Sequence, residues 1–281
     1  MRNPPPWLEP EADPNAPWFP GLAERLARDL WSRAPSGFSP DTYGSARWLT
    51  ADPRTIRETI AAIEVGDGLC RVERLPREWA LRYETIGLDF AELGPIDEAT
   101  ALVTTALGEL GIVPSVGAAV SALLRSLHLL TSAGEGFDIS HSDPELPFSI
   151  FVSAPVGQPD AAARLAESIL HEAMHLELSL AERSWPLVSE PEASGFSPWQ
   201  RRERPLSGLL HGLFVFTAVR TFGQERLADP GLAARERAYH ERRGREIASE
   251  IEAVAELEFS PGLTREGRAL ASFLLASNRG G

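Results

Sequence analysis

His171 and His175 stand four residues apart in a stretch, Asp160 to Arg183, whose apolar residues Ala162, Leu165, Ala166, Ile169, Ala173, Leu176 and Leu180 recur at helical spacing. Apolar side chains gather on one broad side of such a helix, while the two histidines fall near Arg164, Ser168 and Glu182 on another. Residues four apart share a helical face, so the imidazoles of His171-Glu172-Ala173-Met174-His175 can reach one cation, with Glu172 beside them. The chain must therefore build a core against one side of this helix and leave a metal-binding pair on another.

Two histidines need a further ligand. His211 is the leading candidate, because Leu206 to Val219 is apolar around its whole circumference and so predicts a buried helix. A buried imidazole has to be hydrogen-bonded or coordinated, and Gly208 and Gly212 remove the side chains that would hold a neighbouring helix away. Glu190, Glu192 and Glu203 compete, although Glu190-Pro191-Glu192 lies in a proline-rich stretch that makes a poor platform for a ligand. The tighter HExxHxxGxxH spacing is absent, since Leu178 stands at the glycine position. His128, His141 and His240 read as a core or strand residue, a loop residue and a surface helix residue.

Around the motif, amphipathic spacing predicts helices over Leu22–Ser32, Pro53–Glu64 and Asp97–Gly111, the last preceded by a Gly94-Pro95 turn. An arm rich in Pro and Trp, Pro4 to Pro20, precedes them, and its Trp7, Trp18 and Phe19 are expected to dock on the body. The apolar run from Val116 to Leu130, the polar stretch Thr131 to Pro147 and the β-prone Phe148 to Ser153 predict a hairpin-like pair of strands with a long connection. Further helices are expected near Leu206–Phe222, Ala233–Ala255 and Leu263–Leu275, with Trp185 to Pro205 as a long loop. The expected fold is α+β and mainly helical: a helical N-terminal region over 1–114, then a metal-binding region over 115–281 with a small sheet beside the motif helix.

Charge and cysteine content narrow the function. The 281 residues carry a formal charge of −13, and basic residues cluster only at Arg201, Arg202 and Arg204 and between Arg235 and Arg245. That balance argues against nucleic acid, whose binding exploits a net basic face. Cys70 is the single cysteine, so neither an intrachain disulfide nor a cysteine-cluster metal site can form, and it reads as a small buried residue without a role. Charged or small residues interrupt the apolar stretches before the roughly 20 residues needed to span a bilayer. The segment Met1 to Trp7 lacks the apolar core of a secretory signal, so a cytoplasmic protein without a membrane partner is expected.

Ser153-Ala154-Pro155, the block Glu167 to Leu176 and the block Trp199 to Phe216, with its Arg204-Pro205 followed by His211-Gly212, resemble the HExxH-containing peptide-modification proteins. That family comprises iron(II)- and 2-oxoglutarate-dependent peptide β-hydroxylases, and the likeness covers about Val116 to Phe222. It implies an oxidoreductase of the dioxygenase class. Such an enzyme hydroxylates the β-carbon of residues in a ribosomally synthesised precursor peptide and converts 2-oxoglutarate to succinate. It further implies His171, His175 and His211 as metal ligands, a zincin-like core, and association with other peptide-maturation enzymes. Glu172 matches the motif glutamate and is assigned to orienting a ligand or metal-bound water.

The residues themselves leave the metal open. Three histidines leave three octahedral positions, enough for bidentate 2-oxoglutarate and dioxygen. Three protein ligands plus water on zinc, with Glu172 as general base, is equally the arrangement of a metallopeptidase. The 2-oxoglutarate reading needs a guanidinium for the distal carboxylate, and Arg204 is the first choice, followed by Arg202 and Arg220, with Ser207 adding a hydroxyl.

Overall fold

The computed structural model describes residues 4–9, 12, 13, 15–32, 59–65, 68–75, 77–91, 96–132, 134–146 and 148–279. Over these residues the chain is α+β and mainly helical. It divides into two compact units, one formed by Ala23–Leu176 and the other by Met1–Leu22 together with Glu177–Gly281. Two helices, α1 (Pro20–Trp31) and one met below, run across the division.

The unit Ala23–Leu176 is built on a sheet of β1 (Thr59–Val65), β2 (Gly68–Glu73), β3 (Ser126–Leu130), β4 (Ser140–Ser142) and β5 (Ser149–Ser153), in the spatial order β1-β2-β3-β5-β4. Its helices include α2 (Arg77–Glu84), α3 (Ile96–Gly111) and α4 (Pro114–Leu123). The helix expected over Pro53–Glu64 is corrected within the described residues: Thr59 to Glu64 lie in β1, antiparallel to β2. Three β-branched residues, Thr59, Ile60 and Ile63, suit the pleated backbone better than a helix. The Gly94-Pro95 turn lies outside the described residues.

The expected hairpin of the two apolar strands is also corrected. β3 and β5 pair in parallel, and β4 supplies the antiparallel neighbour of β5. Every residue of β3 and β5 is buried, the pattern of central parallel strands covered on both faces. Pro114 at the first turn starts a helix in the preceding apolar run.

His128 is the buried strand residue expected. Its Nδ1–H donates to the Glu73 carbonyl at 2.9 Å, so its Nε2 accepts from the Ser149 hydroxyl at 3.1 Å. His141 belongs to β4 rather than to a loop, with its ring 6.0 Å from that of Tyr83. The short β4 is pinned on both sides. Arg164 forks onto Asp138 at 2.9 and 2.7 Å, Ile139 N–H donates to Ser153 Oγ at 2.9 Å, and Tyr83 donates its hydroxyl to Asp143 at 3.0 Å.

The second unit holds α6 (Leu206–Ala228), α7 (Ala234–Glu252) and α8 (Arg265–Arg279); α5 (Ala161–Glu182) is the second helix that crosses the division. Trp7, Trp18 and Phe19 are buried as expected, and Trp7 donates its indole N–H to the Glu266 carbonyl at 3.1 Å. Trp185 to Pro205 is not a plain loop: Ser194–Ser197 (β6) and Arg202–Pro205 (β7) form an antiparallel hairpin. Among the described residues α6 alone is long and apolar enough to cross a membrane, yet 67% of its most apolar stretch is buried inside the protein. His240 on α7 is corrected from surface to buried, because Gly223 of α6 leaves room for its ring.

Candidate metal centre

Helical spacing on α5 does what the motif requires. His171 Nε2 and His175 Nε2 lie 3.1 Å apart, with ring planes at 69° to one another. Two metal–nitrogen bonds of about 2.1 Å meeting at about 90–110° place their nitrogens about 3.0–3.4 Å apart. The pair therefore fits a shared cation, and its side chains are partly buried.

Glu172 is buried between these histidines in sequence and is held from the sheet. Ser140 donates its hydroxyl to Oε1 and Ser142 to Oε2, each at 2.6 Å, and Oε1 stands 4.0 Å from His171 Nε2. Serines at alternate positions of β4 leave the same face of the strand, which is why both reach one carboxylate. Sequence reading assigned these serines nothing. The signal was present in the alternation Ser140-His141-Ser142, but its value depends on where β4 lies.

Glu182 is the last residue of α5. Its carboxylate accepts from His211 Nε2 of α6 at 3.1 Å. Ligating histidines commonly hold a carboxylate in this way. His211 retains only 14% side-chain exposure. Among the described residues no group of three His, Cys, Asp or Glu side chains is gathered for a metal. Glu190, Glu192 and Glu203, the competing carboxylates, are exposed.

The glycines flanking His211 are covered by the β6–β7 hairpin, not by a helix. A β-carbon at Gly208 would meet Arg204 Nε at 3.1 Å, and one at Gly212 would meet the Trp199 ring at 2.6 Å. Trp199 also stacks on Phe216, with centroids 5.2 Å apart and planes at 15°. Arg204 is half-buried, and among the described residues its side chain makes no hydrogen bond or ion pair. Ser207, four residues before His211, shares its face of α6 and is half-buried.

No protein-family model matches the chain, and no curated protein does.

The other two arginines are placed differently. Arg202 is exposed on β7 and donates to Gln200 at 3.3 Å. Arg220 lies nine residues beyond His211, about half a turn round the helix, and donates to Asn278 Oδ1 of α8 at 3.0 Å. Burial lowers its guanidinium from the ordinary value. Glu177, two residues after His175, is fully buried with no hydrogen-bond partner for either oxygen among the described residues, and burial drives its carboxyl well above the usual range.

Proposed function

We propose that this chain is an iron(II)- and 2-oxoglutarate-dependent peptide β-hydroxylase with a zincin-like core, acting in the cytoplasm on a ribosomally synthesised precursor peptide. The observation that carries the reading is the 3.1 Å separation of His171 Nε2 and His175 Nε2 on consecutive turns of α5. His211 is the third ligand of the proposal, and the carboxylate of Glu182 on its Nε2–H supports that role. When bound, iron(II) with 2-oxoglutarate and dioxygen supplies the oxidising power that places a hydroxyl on a β-carbon, while 2-oxoglutarate leaves as succinate and carbon dioxide.

The protein's own groups bind and orient. Arg204, whose side chain has no hydrogen bond or ion pair among the described residues, offers a planar fork to the distal carboxylate of 2-oxoglutarate, and Ser207 adds a hydroxyl. Trp199, laid over Gly212, limits water on that face of α6. Association with other peptide-maturation enzymes belongs to the same reading.

A zinc metallopeptidase is the second reading, favoured by the closeness of Glu172 Oε1 to His171 Nε2, 4.0 Å. There Glu172 would take a proton from metal-bound water in each turnover. That both its oxygens already accept a serine hydroxyl favours the hydroxylase.

The deciding experiment is mass spectrometry of a precursor peptide incubated with the protein, iron(II), 2-oxoglutarate and air, with succinate measured in parallel. A product heavier by one oxygen atom, still formed at a reduced rate by Glu172→Gln, is the expected result. Two shorter peptides formed with zinc and without 2-oxoglutarate, and lost in Glu172→Gln, would replace the hydroxylase with the peptidase.

A further inference from the structure

A single hydroxyl on Glu172 would leave its carboxylate free to turn; two fix it. Ser140 and Ser142 bond one oxygen each at 2.6 Å, and the residue is 4% exposed, so the carboxylate's plane and torsion are both set from the strand. Oε1, the oxygen held by Ser140, is the one that stands 4.0 Å from His171 Nε2. At that separation the carboxylate is not hydrogen-bonded to the imidazole.

We propose that Ser140 and Ser142 are positioning residues of the metal centre: they hold Glu172 as a fixed charge beside His171 and keep it from becoming a ligand. β4 thereby decides that α5 presents two imidazoles, and no carboxylate, to the cation. The inference rests on the reading of His171 and His175 as a metal pair, and it goes beyond that reading by assigning the sheet a part in the coordination chemistry. Without the hydroxyls, Glu172 gains the freedom to swing onto the cation as a hard oxygen ligand.

Cobalt(II) is a suitable probe, because its visible bands report ligand number and geometry. The full chain would be titrated as wild type, S140A/S142A, S140T/S142T, E172Q, and E172Q combined with S140A/S142A. The expected result is that S140A/S142A alters the band positions and intensity and shifts the dissociation constant by about 10–100-fold, the usual effect of removing a group that orients a metal site. S140T/S142T, which keeps both hydroxyls, should restore the wild-type spectrum. In the E172Q background the serine changes should add nothing.

If S140A/S142A retains both spectrum and affinity, the clamp is refuted while the metal pair stands. The clamp is also refuted if the serine effect persists undiminished without Glu172, because the serines then act through the fold. If wild type takes up no cobalt, or takes it up equally well after His171→Ala, the metal reading fails and the clamp fails with it. Should S140A/S142A prove unfolded by circular dichroism, S140A alone carries the test, since it releases the oxygen nearer His171.

Discussion

The indole of Trp199 lies across Gly212 so closely that a β-carbon built at that glycine would fall 2.6 Å from Cζ3 of the ring. One turn earlier, the same hairpin lays Arg204 over Gly208, but there the contact is with a flexible guanidinium at 3.1 Å. The two glycines should therefore respond with opposite signs to alanine. Gly212→Ala forces the ring away and should destabilise by about 1–3 kcal/mol, the cost of overpacking. Gly208→Ala gains helix propensity of about 1 kcal/mol and should be neutral or stabilising. Denaturant unfolding measures both, and equal effects would show that Trp199 is not seated on Gly212.

Metal content tests the ligand set. His171→Ala, His175→Ala and His211→Ala should each abolish tight binding, because each removes a bond and the facial geometry. Glu182→Gln should weaken binding only by about 10–100-fold, as removal of a group that orients a ligand does. Full metal content in the His211 variant, by elemental analysis after anaerobic purification, would move the third ligand to Glu190, Glu192 or Glu203.

Arg204→Lys separates cosubstrate from peptide. A bidentate, charge-assisted contact contributes about 1.5–3 kcal/mol, and an ammonium cannot reproduce the fork. The 2-oxoglutarate concentration for half-maximal succinate release should rise about tenfold or more, with the peptide dependence little changed. An unaltered 2-oxoglutarate dependence would pass the role to Arg202 or Arg220.

His240 should impose a pH dependence on stability. Burial, and secondarily the charge of Arg226, lower its imidazole to about 4 from 6.5. The unfolded chain therefore binds the extra proton first as pH falls, so stability is full above about 6.5 and declines through the window down to about 4. The loss attributable to this residue is on the order of 3 kcal/mol. Denaturation of wild type and His240→Gln across that range should show a shallower slope for the variant, and parallel slopes would overturn the assignment.

Cys70 should be inert while the protein is folded. Burial pushes its thiol up to about 12, and the side chain is fully enclosed. An aromatic disulfide reagent at pH 8 should label it only at the rate of unfolding, giving a direct kinetic readout of opening in that unit. Labelling as fast as in denaturant would contradict the burial.

What could be read ahead of the fold was local. The helices α5, α6 and α8 and the histidine pair follow from spacing within one segment, so no partner had to be known. Spacing alone reads β1 as a helix and β3 with β5 as a hairpin, because strand identity lies in pairing with distant residues. The hairpin over α6 escaped for the same reason, although Gly208 and Gly212 correctly signalled that something approaches closely there. His240 looked solvated because α7 is rich in charge, and its burial depends on Gly223 of another helix. Ser140 and Ser142 carried meaning only once β4 stood beside α5.

The register of β4 sets which side chains face Glu172. In the observed register Ser140 opposes Val152, His141 opposes Phe151 and Ser142 opposes Ile150, and the serines meet Glu172. A slip of one position, about 3.4 Å, would exchange the faces of the strand and turn His141, an imidazole, toward that carboxylate in place of two hydroxyls. Insertions or deletions between Asp138 and Asp143 are thus expected to be far less tolerated than their place on a short edge strand suggests.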